Sequence, residues 1–334
     1  MRFKTFGLLA VAALALTACD EKGVAYGDAN SIIVVMTPEL WENTSEDIYS
    51  VLEPTVQTVR DEKKFTVTYQ DPTAENWGNL RRFRQMLVVG TEADFWVAEA
   101  LEKAREPVTE PGMVQVYDVW SMGQNVTVVL LSEDGAAPEV RGHLPDYLAL
   151  MEEQYMQFAR SRMYQTGADT ALADTLMMQA RFSLLVPEVY KWDRQDSTYI
   201  FRNDNPDPSE LIRQVGVTWQ TPIPTDMQPE GILDWRAELV TNYYSQPQDV
   251  NLDDVDASPF MFRGLDAYQI QAQWVNPPEL NWPAAGPFIT RAVVCPDQNR
   301  MYLLDAWLYA PSREKYEYMI QLETILGTFR CGVS

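Results

Sequence analysis

Phe288-Ile289-Thr290-Arg291-Ala292-Val293-Val294, the polar turn Asp297-Gln298-Asn299, then Met301-Tyr302-Leu303-Leu304-Asp305-Ala306-Trp307-Leu308-Tyr309 decide how the C-terminal half is read. Two apolar runs of strand length joined by a short polar turn predict an antiparallel pair. Ala267–Val275 is a third strand of the same kind just upstream. Phe182–Pro187, Tyr199–Phe201 and Val215–Trp219 add shorter ones. Gly231–Tyr244 has a helical pattern, and Pro311-Ser312 opens a last helix running through Phe329. Strands grouped together with helices at the ends predict an α+β domain over 181–334, a mainly antiparallel sheet flanked by helices.

Upstream the pattern alternates. Ser31–Met36 reads as a strand, Thr44-Ser45-Glu46-Asp47 as a helix start, Phe65–Tyr69 and Met86–Val89 as strands, and Phe95–Ala104 as a helix. Val114–Tyr117 and Val126–Leu131 follow as strands, then a long helix from Pro138 to about Thr166. This alternation predicts an α/β domain over 31–166. Gly167 breaks the long helix, and 167–180 reads as a connecting helix.

The first 18 residues read as a signal, with Arg2 and Lys4 at the start and an apolar run from Phe6 to Leu16. That run is too short to span a bilayer, which takes roughly 20 apolar residues. Leu16-Thr17-Ala18-Cys19 resembles the cut site of bacterial lipoproteins. The resemblance implies that Cys19 becomes the first mature residue and carries acyl chains that anchor it to a lipid bilayer. Each buried methylene contributes about 0.8 kcal/mol, so two or three chains hold stably. Residues 19–30 are polar and read as a tether. The expected location is the cell envelope, on the periplasmic or surface face of the outer membrane.

The chain carries 48 acidic and 26 basic residues, a net charge of −22, and loss of the signal leaves −24. Such a field argues against nucleic acid and anionic head groups, and suits cationic partners or divalent ions. With 46% apolar residues the chain can build ordinary cores. Apart from Cys19 it has only Cys295 and Cys331, which predict one disulfide in an exported protein. Cys295 ends one strand. The returning strand covers roughly 33 Å and the final helix roughly 27 Å. A helix antiparallel to that strand brings Cys331 back beside Cys295.

Four stretches carry a further resemblance: Ile33–Met36 with Glu39-Leu40-Trp41; Asp118-Val119-Trp120 with Gly123–Val126; Phe182–Pro187; and Gly286–Ile289 with Asn299–Tyr302, Tyr309-Ala310-Pro311 and Gln321-Leu322-Glu323. Through them nearly the whole mature chain resembles an uncharacterised bacterial lipoprotein family, Domain of Unknown Function 4837. Ala285 stands where that family often has a second Gly. The order of elements after 181, ending in Phe329-Arg330, is similar to modules related to photosystem II subunit P and Mog1. Neither resemblance brings an activity, and fold similarity does not fix function.

Residue chemistry narrows the choices. His143 is the only histidine, so a Ser–His–Asp triad, a Cys–His dyad or a multi-His zinc site cannot be built in one chain. No catalytic or metal residues and no cofactor are assigned. Asp249, Asn251, Asp253 and Asp256 follow the start of a calcium loop, but Asp254 and Phe260 stand where that loop needs Gly and Glu; a solvated acidic loop is the alternative. Trp274, Asn281, Trp282, Gly286 and Phe288 frame a Pro-rich segment and form a candidate binding cleft. The competing reading makes these aromatics part of the core. Together these features predict a non-enzymatic envelope factor that binds a small ligand or an envelope protein. A carboxylate-dependent hydrolase acting on envelope polymers and a structural interaction subunit are the alternatives.

Overall fold

The computed structural model describes residues 22–134, 137–225, 228–280 and 282–332. In the first half the order is β1 (Ser31–Val35), α1 (Pro38–Leu52), β2 (Thr55–Gln57), β3 (Asp61–Lys63), β4 (Thr66–Gln70), α2 (Trp77–Leu80), β5 (Gln85–Gly90), α3 (Phe95–Leu101), β6 (Gly112–Tyr117), β7 (Asn125–Leu130) and α4 (Ala137–Met163). α1 starts at Pro38, not at Thr44 as the acidic run suggests; proline, with its fixed φ and no N–H, suits a first helical turn. The β2–β3 hairpin has no apolar run to announce it.

The second half contains α5 (Thr170–Ala180), β8 (Phe182–Ser183), β9 (Lys191–Gln195), β10 (Thr198–Asn203), β11 (Ile212–Gln220), α6 (Pro229–Tyr243), β12 (Asp249–Phe262), β13 (Leu265–Val275), β14 (Ala285–Cys295), β15 (Arg300–Tyr309), α7 (Tyr316–Gly327) and β16 (Arg330–Cys331). The fold class is therefore a mixed α/β N-terminal region followed by a C-terminal antiparallel sheet flanked by helices.

A five-stranded sheet has the order β4-β1-β5-β7-β6, with β5 and β7 parallel and β6 antiparallel to β7. The seven-stranded sheet has the order β12-β13-β14-β15-β11-β10-β9, and every neighbouring pair in it is antiparallel. Contacts divide the chain into two compact units. Among the described residues, one comprises 22–28, 33–38 and 69–134; the other comprises 29–32, 39–68 and those from 137 to 332.

In the first unit Ile33, Val88, Trp96, Val97 and Val128 share one core, against which Trp120 packs. The stretch from Asp118 to Asn125 is a tight turn held from within. Asp118 has φ +55° and Gly123 φ +76°. The buried Gln124 amide accepts from Trp120 N at 3.0 Å and donates to Arg81 O and Phe83 O at 2.8 and 2.7 Å. The described part of the expected tether is not free: Lys22 Nζ donates to Asp118 O at 2.6 Å, and Ala25 N donates to Met122 O at 2.8 Å.

In the second unit α5 is no mere connector. Asp169 caps it by accepting from Leu172 N at 2.8 Å, and Leu172, Leu176 and Ala180 enter the core of the seven-stranded sheet. α5 ends at Arg181, whose φ is +61°. Within the same unit Glu62 of β3 meets α7, accepting from Lys315 N at 2.6 Å and Lys315 Nζ at 2.8 Å with both side chains buried. Lys64 pairs with Glu152 of α4 at 2.7 Å, and Tyr155 stacks on Tyr316 with ring centroids 5.5 Å apart.

Candidate functional site

Strand alternation splits the predicted cleft. Trp274 of β13 and Phe288 of β14 are each 1% exposed and point into one core cluster beneath α6. A side chain removed from solvent cannot line an open cleft, so these two are corrected to core. Gly286 is corrected with them. It lies opposite Trp274 in the strand register. The indole crosses it and donates from Nε1 to Leu308 O on β15 at 3.1 Å. A Cβ at 286 would stand 1.8 Å from that oxygen, so the glycine answers a packing demand. Asn281 lies outside the described residues.

Trp282 remains, and it is 48% exposed. The segment between β13 and β14 is closed at its base by Asn276, whose N donates to Ala284 O at 2.8 Å and whose Nδ2 donates to Trp282 O at 3.0 Å. Prolines at 277, 278 and 283 limit its backbone freedom. A concavity of about 540 Å³ results, lined by Val275, Pro277, Leu280, Trp282 and neighbours, none of them charged.

The acidic run has a different geometry from the one expected. Asp249, Asn251, Asp253 and Asp256 belong to β12, an edge strand with a bulge, not to a loop. Asn251 Oδ1 accepts from Asp253 N at 3.2 Å. Among the described residues no three His, Cys, Asp or Glu side chains group closely enough to hold a metal ion. His143 lies in the second turn of α4 and is partly buried.

The structure joins Cys295 to Cys331 with Cα atoms 6.0 Å apart, inside the range a disulfide requires. β16 pairs with β8, placing Cys331 opposite Phe182. Gln298 clasps the same corner, donating to Arg181 O and Gly332 O, each at 2.7 Å. Tyr302 OH donates to Gln298 Oε1 at 2.7 Å. The turn residues that read as merely polar thus hold the chain end.

Sequence reasoning missed a buried polar cluster beneath α6. Arg236 and Asp305 have no exposed surface. Arg236 Nε donates to Asp305 Oδ1 at 2.8 Å and Nη2 donates to Gln248 Oε1 at 2.6 Å. Tyr244 OH and Thr290 Oγ1 donate to Asp305 at 2.8 and 2.5 Å. The guanidinium lies 3.7 Å from the centre of the Phe288 ring. Burial, then the Asp305 charge, pushes the Tyr244 phenol well above its ordinary value. The only sequence trace was Asp305 inside an apolar strand. With Arg236 and Asp305 wholly buried, the cluster reads as a structural anchor.

No curated protein matches the chain. Among solved structures it is similar to the Ran-binding protein Mog1p of Saccharomyces cerevisiae, at 9% identity and a TM-score of 0.32 over 46% of this chain and 91% of that one. It is also similar to Mycobacterium tuberculosis LpqN, described as involved in cell envelope biogenesis, at 16% identity and 0.28 over 45% and 83%. Human STARD10 follows at 8% and 0.21 over 47% and 74%. Residues 25–163 match the family described as Domain of unknown function (DUF8532). The first two resemblance stretches fall there, so the DUF4837 likeness does not extend over nearly the whole mature chain. Residues 169–328 match the family described as Domain of unknown function (DUF4837).

Proposed function

We propose that the protein is a lipid-anchored envelope factor that binds a ligand or protein without catalysing a reaction, and that the loop between β13 and β14 is its recognition element. The uncharged concavity around Trp282 carries this reading. On a chain of net charge −22, an apolar hollow with a half-exposed indole favours contact with an apolar or aromatic partner group. Prolines and the Asn276 closure limit the entropy lost on binding. The segment ending at Cys19 supports the anchor, although it lies outside the described residues, and the Cys295–Cys331 pairing accords with an oxidising compartment. No helix among the described residues is long and apolar enough to cross a membrane.

Two measurements test this. Mass spectrometry of the native N-terminus is expected to find a diacylglyceryl group on Cys19; an unmodified Cys19 or another N-terminus ends the lipoprotein part. Purification of the tagged protein from its own membrane is expected to recover a stoichiometric partner or ligand that Trp282→Ala loses. The same recovery by both forms contradicts the role of the loop.

A further inference from the structure

We propose that one end of the first unit rests on the bilayer surface through Val24, Met122 and the turn from Asp118 to Gly123. This contact deepens the lipid-anchor reading of Cys19 and rests on it. Its occupant is a bilayer of zwitterionic head groups, since a chain of net charge −22 is repelled by anionic ones.

The described chain begins at Lys22 and is fastened at once. Lys22 Nζ donates to Asp118 O and Val119 O at 2.6 and 2.8 Å. Met122 N donates to Gly23 O at 2.9 Å, and Ala25 N donates to Met122 O at 2.8 Å. A free tether over 19–30 would reach about 40 Å, whereas the stretch from Cys19 to Lys22 reaches at most about 11 Å. Acyl chains on Cys19 lie in the hydrocarbon core, beneath a head-group layer about 5–8 Å thick. The fastened strap and its turn are therefore held at the membrane surface.

Single exposed apolar side chains are ordinary on a protein; these gather where the chain must meet lipid. A bridge sets Val24 and Met122 side by side, 67% and 51% exposed. Tyr117, also exposed, ends β6 just before the turn. Two cations flank the strap, Lys22 and the exposed Arg82, whose Nη2 would stand 2.1 Å from a Cβ at Gly23. Apolar side chains set among Tyr, Lys and Arg suit the interfacial zone, where hydrocarbon gives way to phosphate. The carboxylate of the turn, Asp118, accepts from Gly123 N at 2.5 Å.

The test places the full lipidated chain in phosphatidylcholine vesicles whose head groups carry a nitroxide quencher. Met122→Cys and Phe95→Cys are each labelled with a nitrobenzoxadiazole thiol reagent. Phe95 follows the C-terminal end of β5, while the turn adjoins its N-terminal end, where Asn125 N donates to Arg84 O at 2.8 Å. The six residues of β5 separate these ends by about 20 Å. The label at 122 is expected to lose most of its fluorescence and the label at 95 little. A label on Tyr117→Cys then separates contact from mere tethering. Val24→Asp/Met122→Asp shifts the contact equilibrium by about tenfold or more, so most of the quenching at 117 is expected to vanish. Equal quenching at 122 and 95, no quenching at 122, or unchanged quenching at 117 in the Asp variant overturns the contact, and a chain that still floats with the vesicles leaves the anchor standing. An unmodified Cys19 in the mass spectrum overturns both.

Discussion

The two faces of the seven-stranded sheet are held by different means. Beneath α6, residues 303, 305 and 307 of β15 point inward, and a full ion pair, Arg236–Asp305, sits among Trp274, Phe288 and Trp307. Beneath α5 and α7, residues 302, 304, 306 and 308 point the other way into aliphatic and aromatic packing, closed at one corner by a disulfide. A buried charge is costly unless every partner stays in place, so the first face tolerates one arrangement of α6. Apolar packing is less directional, and there the covalent link and the Gln298 clasp fix the chain end. The difference lies between specificity from a paired buried charge and stability from burial with a cross-link.

The largest effect expected from breaking this contrast is at the ion pair. Asp305→Ala leaves Arg236 buried and uncompensated, at a cost of about 3–5 kcal/mol. Arg236→Met/Asp305→Leu replaces both charges with apolar volume and is expected to recover most of that loss in urea unfolding. A double variant no more stable than the single one would show that the pair is not the weak point of this face.

On the opposite face, Cys295→Ser/Cys331→Ser opens a loop spanning 36 residues. The chain-entropy relation gives a loss of about 3–4 kcal/mol. β16 is nevertheless expected to stay on β8 through the Gln298 bonds, visible as persistent amide protection at 331 and 332. Loss of that protection without a fall in global stability would contradict this division of labour.

Alkali gives a smaller and graded effect. Burial pushes the Tyr190 phenol up to about 12. An unfolded chain ionises its tyrosines near 10. Stability is therefore complete below pH 10 and declines as the pH rises towards 12, by about 1 kcal/mol at pH 11 for Tyr190. Absorbance at 295 nm should leave Tyr190 silent at pH 10.5 in the folded protein. A Tyr190→Phe variant whose absorbance at pH 10.5 falls below that of the unsubstituted protein would show that the group already ionises there.

Much of this was legible in the sequence, for physical reasons. β14 and β15 are buried on both faces, so continuous apolar runs reveal them, while β13 shows itself by alternation, with Gln271 and Gln273 between buried residues. β12 is exposed at an edge and carries charges, and its period is disguised by a bulge, so it reads as an acidic loop. Charges, a bulge and Pro259 also protect such an edge from pairing with other chains. The predicted aromatic cleft mixed two environments: Trp274 and Phe288 sit on strands facing α6, while Trp282 sits on the loop between them. Composition identifies aromatics, but only register decides which are buried. The Arg236–Asp305 pair joins residues 69 positions apart and leaves no local signal.

Site-specific photo-crosslinking in the native envelope tests the recognition loop most directly. A photoreactive phenylalanine analogue replaces Trp282 in one strain and Met178, which is 77% exposed on α5, in another. The expected result is one discrete adduct from position 282, absent at 178 and suppressed when the unlabelled protein is supplied in excess. No adduct at 282, or the same adducts from both positions, would contradict the claim that this loop is where the protein binds.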